Sequence, residues 1–155
     1  RWHNPFYWIK KFRIPYPLEE LVSKTLEITG TKILEKELPQ ILKKIKENHK
    51  MIIVTTPPKA FITLKMGVLK DVLEDLPIFS SVDEFDLPKI PEVYRKISEI
   101  LNVRPEKILH IGDSVKEDFE APKEAGWKAV LYDPKNKYPE IFPRIKSFKE
   151  IFKFL

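Results

Sequence analysis

The sequence predicts an α/β domain built on a mostly parallel sheet. Three observations carry this. Short apolar runs such as Met51–Val54, Ile108–Ile111 and Lys128–Tyr132 have the length and β-branched content of buried strands. Between them lie stretches whose apolar residues recur at helical spacing. Strands alternating with helices call for parallel pairing with crossover connections.

Arg1–Pro17 sets Trp2, Phe6, Tyr7, Trp8, Phe12 and Tyr16 among Lys10, Lys11 and Arg13. Pro5, Pro15 and Pro17 mark it as an irregular connector that packs on the domain, with a short strand over Phe6–Ile9 as an option. Interleaved rings and cations can also stack bases, which keeps a nucleic-acid-binding module as a third-ranked reading. Leu18–Thr29 is expected to be helical, with Gly30 as its stop. A second helix is expected over Glu37–Asn48, with Leu38, Ile41, Leu42 and Ile45 on one face.

Met51–Val54 is a strand that ends in Thr55-Thr56-Pro57-Pro58. Lys59–Leu73 reads as a helix broken near Gly67, and Ile78–Val82 as another strand. Asp83–Leu87 reads as an acidic loop, followed by Pro88-Lys89-Ile90-Pro91. Pro91 suits a first helical position, and the helix should run to about Asn102. Then come the strand Ile108–Ile111, an acidic turn over Gly112–Asp118, a short helix ending at Ala125–Gly126, and the strand Lys128–Tyr132. A terminal helix is expected over Phe148–Leu155.

The chain of 155 residues is 43% hydrophobic and 33% charged, which is the balance of a globular domain. No apolar run approaches the ~20 residues that span a bilayer. With no cysteine, disulfides and thiolate zinc sites are excluded. The N-terminal stretch is aromatic and basic without a small-residue cleavage site, so a cytoplasmic location is expected. The net charge of +5 suits a solvated Lys-rich surface or an anionic small-molecule substrate.

Three strand ends carry polar groups that belong together chemically. Thr55 follows one strand, Lys89 sits in the loop before a helix, and Asp113 and Asp118 follow another strand. A hydroxyl and an ammonium suit phosphate oxygens, while carboxylates suit a hard cation such as Mg²⁺. Such a set is a phosphoryl-transfer site, where positioning and charge neutralisation do most of the work. Thr55 would bond a phosphoryl oxygen and Lys89 would neutralise its charge. Asp113 would ligate the metal; Asp118 would help orient it or pair with Lys89.

Gly112-Asp113-Ser114, then Asp118, Ala121, Ala125 and Gly126, resembles the fourth motif of the haloacid dehalogenase (HAD) superfamily. Lys89-Ile90-Pro91-Glu92-Val93-Tyr94 resembles its third-motif segment, and Ile52-Ile53-Val54-Thr55 its second motif. The resemblance runs from about Leu38 to the C-terminus. It implies a Rossmannoid three-layer sandwich with a small or incomplete N-terminal cap. It also implies an Mg²⁺-dependent hydrolase, most readily a phosphatase acting on a small phosphorylated metabolite through an aspartyl-phosphate intermediate. By that resemblance Thr55, Thr56 and Lys89 would contact the phosphate, with Thr55 and Lys89 catalytic, and Asp113 and Asp118 would lie on the metal side.

The family's first motif, DxDxT/V, which supplies the nucleophile, does not occur in these residues. Its strand would lie between those ending at Thr55 and Ile111, and leaving it out would expose two strand edges. More residues are therefore expected before Arg1, and the 155-residue chain is expected to be inactive alone. Residues 1–36 are expected to form a cap or linker and 37–155 the core domain. The runner-up function is a non-catalytic phosphate-binding or regulatory domain on the same fold.

Overall fold

The computed structural model describes residues 3–30 and 32–155. Trp2 and the side chain of Thr29, named above, lie outside what is described. The protein is α/β, and all strand pairs among the described residues are parallel. It divides into two compact units, Arg1–Leu87 and Pro88–Leu155. The boundary drawn from sequence at residue 36 falls inside the first unit.

The first unit opens with α1 (Pro5–Lys11), where a connector or strand was expected. Asn4 accepts a hydrogen bond from the Tyr7 amide at 3.2 Å, and Pro5 occupies the first turn. Asn-Pro here is a helix start, because proline's fixed φ and missing N–H cost nothing at that position. Trp8 and Phe12 stack one turn apart, centroids 5.6 Å, with Lys11 Nζ 4.9 Å from the Trp8 ring. Next comes α2 (Leu18–Thr29), as read, which stops at Gly30 with φ 65. Its buried Leu18 and Val22 face inward.

α3 (Leu38–Lys46) buries Ile41, Leu42 and Ile45, three members of its predicted apolar face. β1 (Ile53–Thr55) leads into α4 (Lys59–Lys65). A 3-10 turn at Gly67–Leu69 separates α4 from α5 (Lys70–Leu73), so the break lies at Gly67 as expected. β2 (Ile78–Ser80) pairs with β1, placing Thr55 opposite Ser80. The expected acidic loop is mostly α6 (Ser81–Phe85). Ser80 caps it, its Oγ accepting from the Asp83 amide at 3.1 Å. A hydroxyl that ends one element and starts the next is easily misread as strand.

The second unit begins with Pro88 and α7 (Pro91–Leu101), which ends at Asn102 in the left-handed region, φ 51. Val93, Tyr94 and Ile97 on this helix are fully buried. β3 (Leu109–Gly112) lies one residue later than read. The expected turn after it is instead helical: a π-helix spans Val115–Glu120, capped by Ser114. It runs into α8 (Ala121–Glu124), and Gly126 with φ 90 closes the helix. β4 (Lys128–Tyr132) matches the reading residue for residue.

β4 is the middle strand, flanked by β3 and by the two-residue β5 (Arg144–Ile145), which the sequence did not reveal. Ala129, Val130 and Leu131 are buried in succession, the pattern of a strand covered on both faces. The chain closes in a 3-10 helix, Phe148–Lys153, with a Ser147–Glu150 capping box. Its buried Ile151 and the buried Ile145 of β5 belong to the core.

Candidate active site at the tip of β3

Parallel pairing of β3 with β4 points the C-terminal end of β3 at the Gly112–Asp118 segment. Asp113 follows the strand immediately and is exposed. Ser114 then starts the π-helix, its Oγ accepting from the Glu117 amide at 3.2 Å. π-turns recur at functional sites because they re-aim side chains within a helix. This one turns Asp118 inward, back towards the strand.

Asp118 is the anchor. Lys89 donates to its Oδ1 in a close ion pair, with side chains only 10% and 6% exposed. His110 Nε2 lies 2.9 Å from the same oxygen. The Ser114 amide donates to Oδ2 at 3.1 Å. Three donors on one buried carboxylate satisfy most of its acceptor capacity. Burial pushes the Asp118 carboxyl up, but the His110 hydrogen bond and the Lys89 charge outweigh it and hold the group at about 2. Lys89 has a second carboxylate near, Glu117 Oε2 at 4.0 Å.

Gly112 makes this contact geometrically available. A Cβ there would meet Asp118 Cγ at 2.3 Å and Oδ2 at 2.7 Å. The carboxylate therefore lies in the space a side chain would fill. Behind it sits a buried aromatic group. Tyr94 donates to the Glu117 carbonyl at 2.6 Å, and its hydroxyl is 3.3 Å from His110 Nε2. Burial, with the Asp118 and Glu117 charges, drives the Tyr94 phenol strongly up, so it stays protonated. Trp127 packs edge-on to Tyr94 and donates to Ser98 Oγ at 2.6 Å.

Of the residues singled out from sequence, the structure joins Lys89 to Asp118 and leaves Asp113 open at the strand end. Thr55 ends β1 and Thr56 follows it, both half-buried, in the first unit. For Asp118, the geometry matches pairing with Lys89, the second of the two roles offered to it. Among the described residues no group of three or more histidines and carboxylates is arranged to hold a metal ion. Sequence reading passed over His110 and gave Tyr94 no role beyond its place in the third-motif segment. A histidine inside an otherwise apolar strand was the available signal, because a buried imidazole needs a partner.

A family model described as haloacid dehalogenase-like hydrolase matches residues 17–126. The chain belongs to this family. It is 30% identical over 127 residues to the rhythmically expressed gene 2 protein of Drosophila melanogaster. That match takes in 76% of this chain and 48% of the relative, so the chain spans about half the length of the curated relative it matches. A HAD phosphatase from Thermococcus onnurineus superposes with TM-score 0.76 at 23% identity, over 99% of this chain and 71% of that one. The putative HAD-hydrolase YfnB from Bacillus subtilis, bound to magnesium, superposes with TM-score 0.68 at 20% identity. That superposition covers 77% of this chain and 54% of the Bacillus protein. At these identities the two structures speak for the HAD-like fold. Among the described residues, no helix is long and apolar enough to cross a membrane.

Proposed function

We propose that this HAD-like chain supplies the lysine and metal side of an Mg²⁺-dependent phosphatase acting on a small phosphorylated metabolite. The observation that carries the reading is the buried Lys89–Asp118 pair beside the exposed Asp113. A lysine ammonium held by a buried carboxylate keeps its aim, which a developing phosphoryl charge requires. Asp118 then acts through Lys89. Thr55 and Thr56 are retained as phosphate-contacting hydroxyls.

Asp113 offers a hard carboxylate oxygen free of the crowding around Asp118, and so fits Mg²⁺, which commonly takes one or two carboxylates and completes its shell with water and phosphate. When bound, the ion would neutralise phosphate charge. Asp113 would hold it and Lys89 would meet the phosphoryl oxygens. The aspartyl nucleophile is not supplied by an Asp-x-Asp motif in these residues. Hydrolysis through an aspartyl-phosphate would draw it from outside them.

The test is hydrolysis of p-nitrophenyl phosphate by the full-length protein with and without Mg²⁺. Turnover should need the metal and fall about a hundredfold or more in Asp113→Ala, the scale of losing a main electrostatic contact. Turnover indifferent to chelator and to Asp113→Ala would overturn the proposal. Phosphate binding without turnover would instead favour the non-catalytic reading. Salt-dependent nucleic-acid binding lost on replacing Lys10, Lys11 and Arg13 would favour the third reading.

A further inference from the structure

We propose that His110 is a positioning residue: its Nε2–H holds Asp118 Oδ1, and through that carboxylate it fixes the Lys89 ammonium. The inference rests on the phosphatase reading for its consequence in catalysis, but its geometry stands within the second unit alone.

The hydrogen-bond network assigns the proton. Asp118, a carboxylate, can only accept. The Tyr94 hydroxyl spends its proton on the Glu117 carbonyl at 2.6 Å. His110 Nε2, 2.9 Å from Asp118 Oδ1 and 3.3 Å from the Tyr94 oxygen, is therefore the donor towards Asp118. Tyr94 packs edge-on at 5.2 Å and Trp127 at 6.2 Å between centroids, so the imidazole is walled in by aromatic rings.

Strand geometry explains why this position does the work. Successive side chains on β3 alternate between faces, so residues 110 and 112 share one. On that face His110 reaches Asp118 with a donor, and Gly112 gives the carboxylate room. Lys89 approaches the same Oδ1 from the loop before α7. A long lysine side chain loses aim easily. Sharing its acceptor with a walled-in donor removes the carboxylate's freedom to follow it.

The test uses the full-length protein with His110→Leu, His110→Gln and Lys89→Met. Glutamine can place an amide N–H where the imidazole Nε2–H lies; leucine cannot. His110→Leu should lower kcat/KM about 10–100-fold, the scale of losing a supporting hydrogen bond to a charged site residue. His110→Gln should recover most of it. In the Lys89→Met background, His110→Leu should cost nothing further, since its effect passes through Lys89. A purely structural role would give equal losses in both backgrounds and no glutamine rescue, and would overturn the inference. So would full activity in His110→Leu.

A second readout does not need turnover. The Ser114 amide donates to Asp118 Oδ2, so its NMR resonance reports where that carboxylate sits. It should move in His110→Leu and stay near its wild-type place in His110→Gln. If the wild-type protein hydrolyses no phosphomonoester, the phosphatase reading fails, and this signal alone decides the role of His110. An unmoved Ser114 amide in His110→Leu refutes the positioning role whatever the activity.

Discussion

Replacing Gly112 with alanine tests the site at its tightest point. The added Cβ would lie 2.3 Å from Asp118 Cγ and 2.6 Å from its Cβ. Carbon atoms prefer about 3.5–4.0 Å, so one of the two residues must shift by about 1 Å or more. Asp118 cannot do so freely. Its bonds to His110 and the Ser114 amide, at 2.9 and 3.1 Å, leave bonding range after such a movement. Overpacking costs about 1–3 kcal/mol. Loosening a hydrogen bond to a buried charge costs about 1.5–3 kcal/mol. Because one displacement causes both, we expect a combined loss of about 3 kcal/mol rather than their full sum. For a domain near this size each kcal/mol lowers Tm by about 2–4 °C, giving a fall of roughly 6–12 °C by thermal denaturation. Removing the obstacle supplies the control: in an Asp118→Gly background, Gly112→Ala should cost almost nothing. An unchanged Tm for Gly112→Ala, or the same fall in both backgrounds, would refute the steric account.

Two further predictions concern the same network. The folded Asp118 carboxyl titrates at about 2 against an ordinary 3.8, so between those values the unfolded chain binds more protons and stability falls as pH falls. The pairing thus contributes about 2 kcal/mol that is fully present above pH ~4 and lost on descending through ~2. Asp118→Asn should lack this part of the slope in urea titrations run across that window; parallel curves for the two proteins would argue against a depressed pKa. Ser98→Ala removes the acceptor of the Trp127 indole, leaving a buried N–H with no partner at that end. It should destabilise by about 1–3 kcal/mol in urea, more than a surface Ser→Ala change; a loss below about 0.5 kcal/mol would mean the indole finds another acceptor.

What was legible in the sequence was whatever local chemistry decides. α2 and β4 match their predicted bounds, and α7 starts at Pro91 as read, because periodicity and an N1 proline are signals carried within a dozen residues. The errors have two physical sources. Polar residues that start helices were not read as caps: Asn4 was placed in a connector, Ser80 in a strand and Ser114 in a turn, yet each caps a helix with a side-chain oxygen. β5 was missed for the opposite reason. Two residues, Arg144 and Ile145, form a strand only because Leu131 and Tyr132 stand beside them. No window on the sequence contains that partner.

The site divides along the same line. Lys89, Asp113 and Asp118 were singled out because their residue types and spacing suit one chemistry. His110 has no such spacing, yet an inference was within reach. In Leu109-His110-Ile111-Gly112 the alternation of a strand puts histidine and glycine on one face. A buried histidine needs a polar partner, and a glycine two residues on leaves space beside it for one. The acidic segment that follows immediately is the nearest source. The structure fills that space with Asp118, eight residues after His110, and the π-helix is what delivers it. What could not be read was which carboxylate of Asp113, Glu117 and Asp118 would turn inward. That choice is made by Ser114, whose amide and hydroxyl bind Asp118 and the Glu117 amide and so set the phase of the helix. Asp113 stands ahead of that cap and stays exposed, while Asp118 lies within the helix and is buried, so the serine between them marks where an open aspartate gives way to a lysine-holding one.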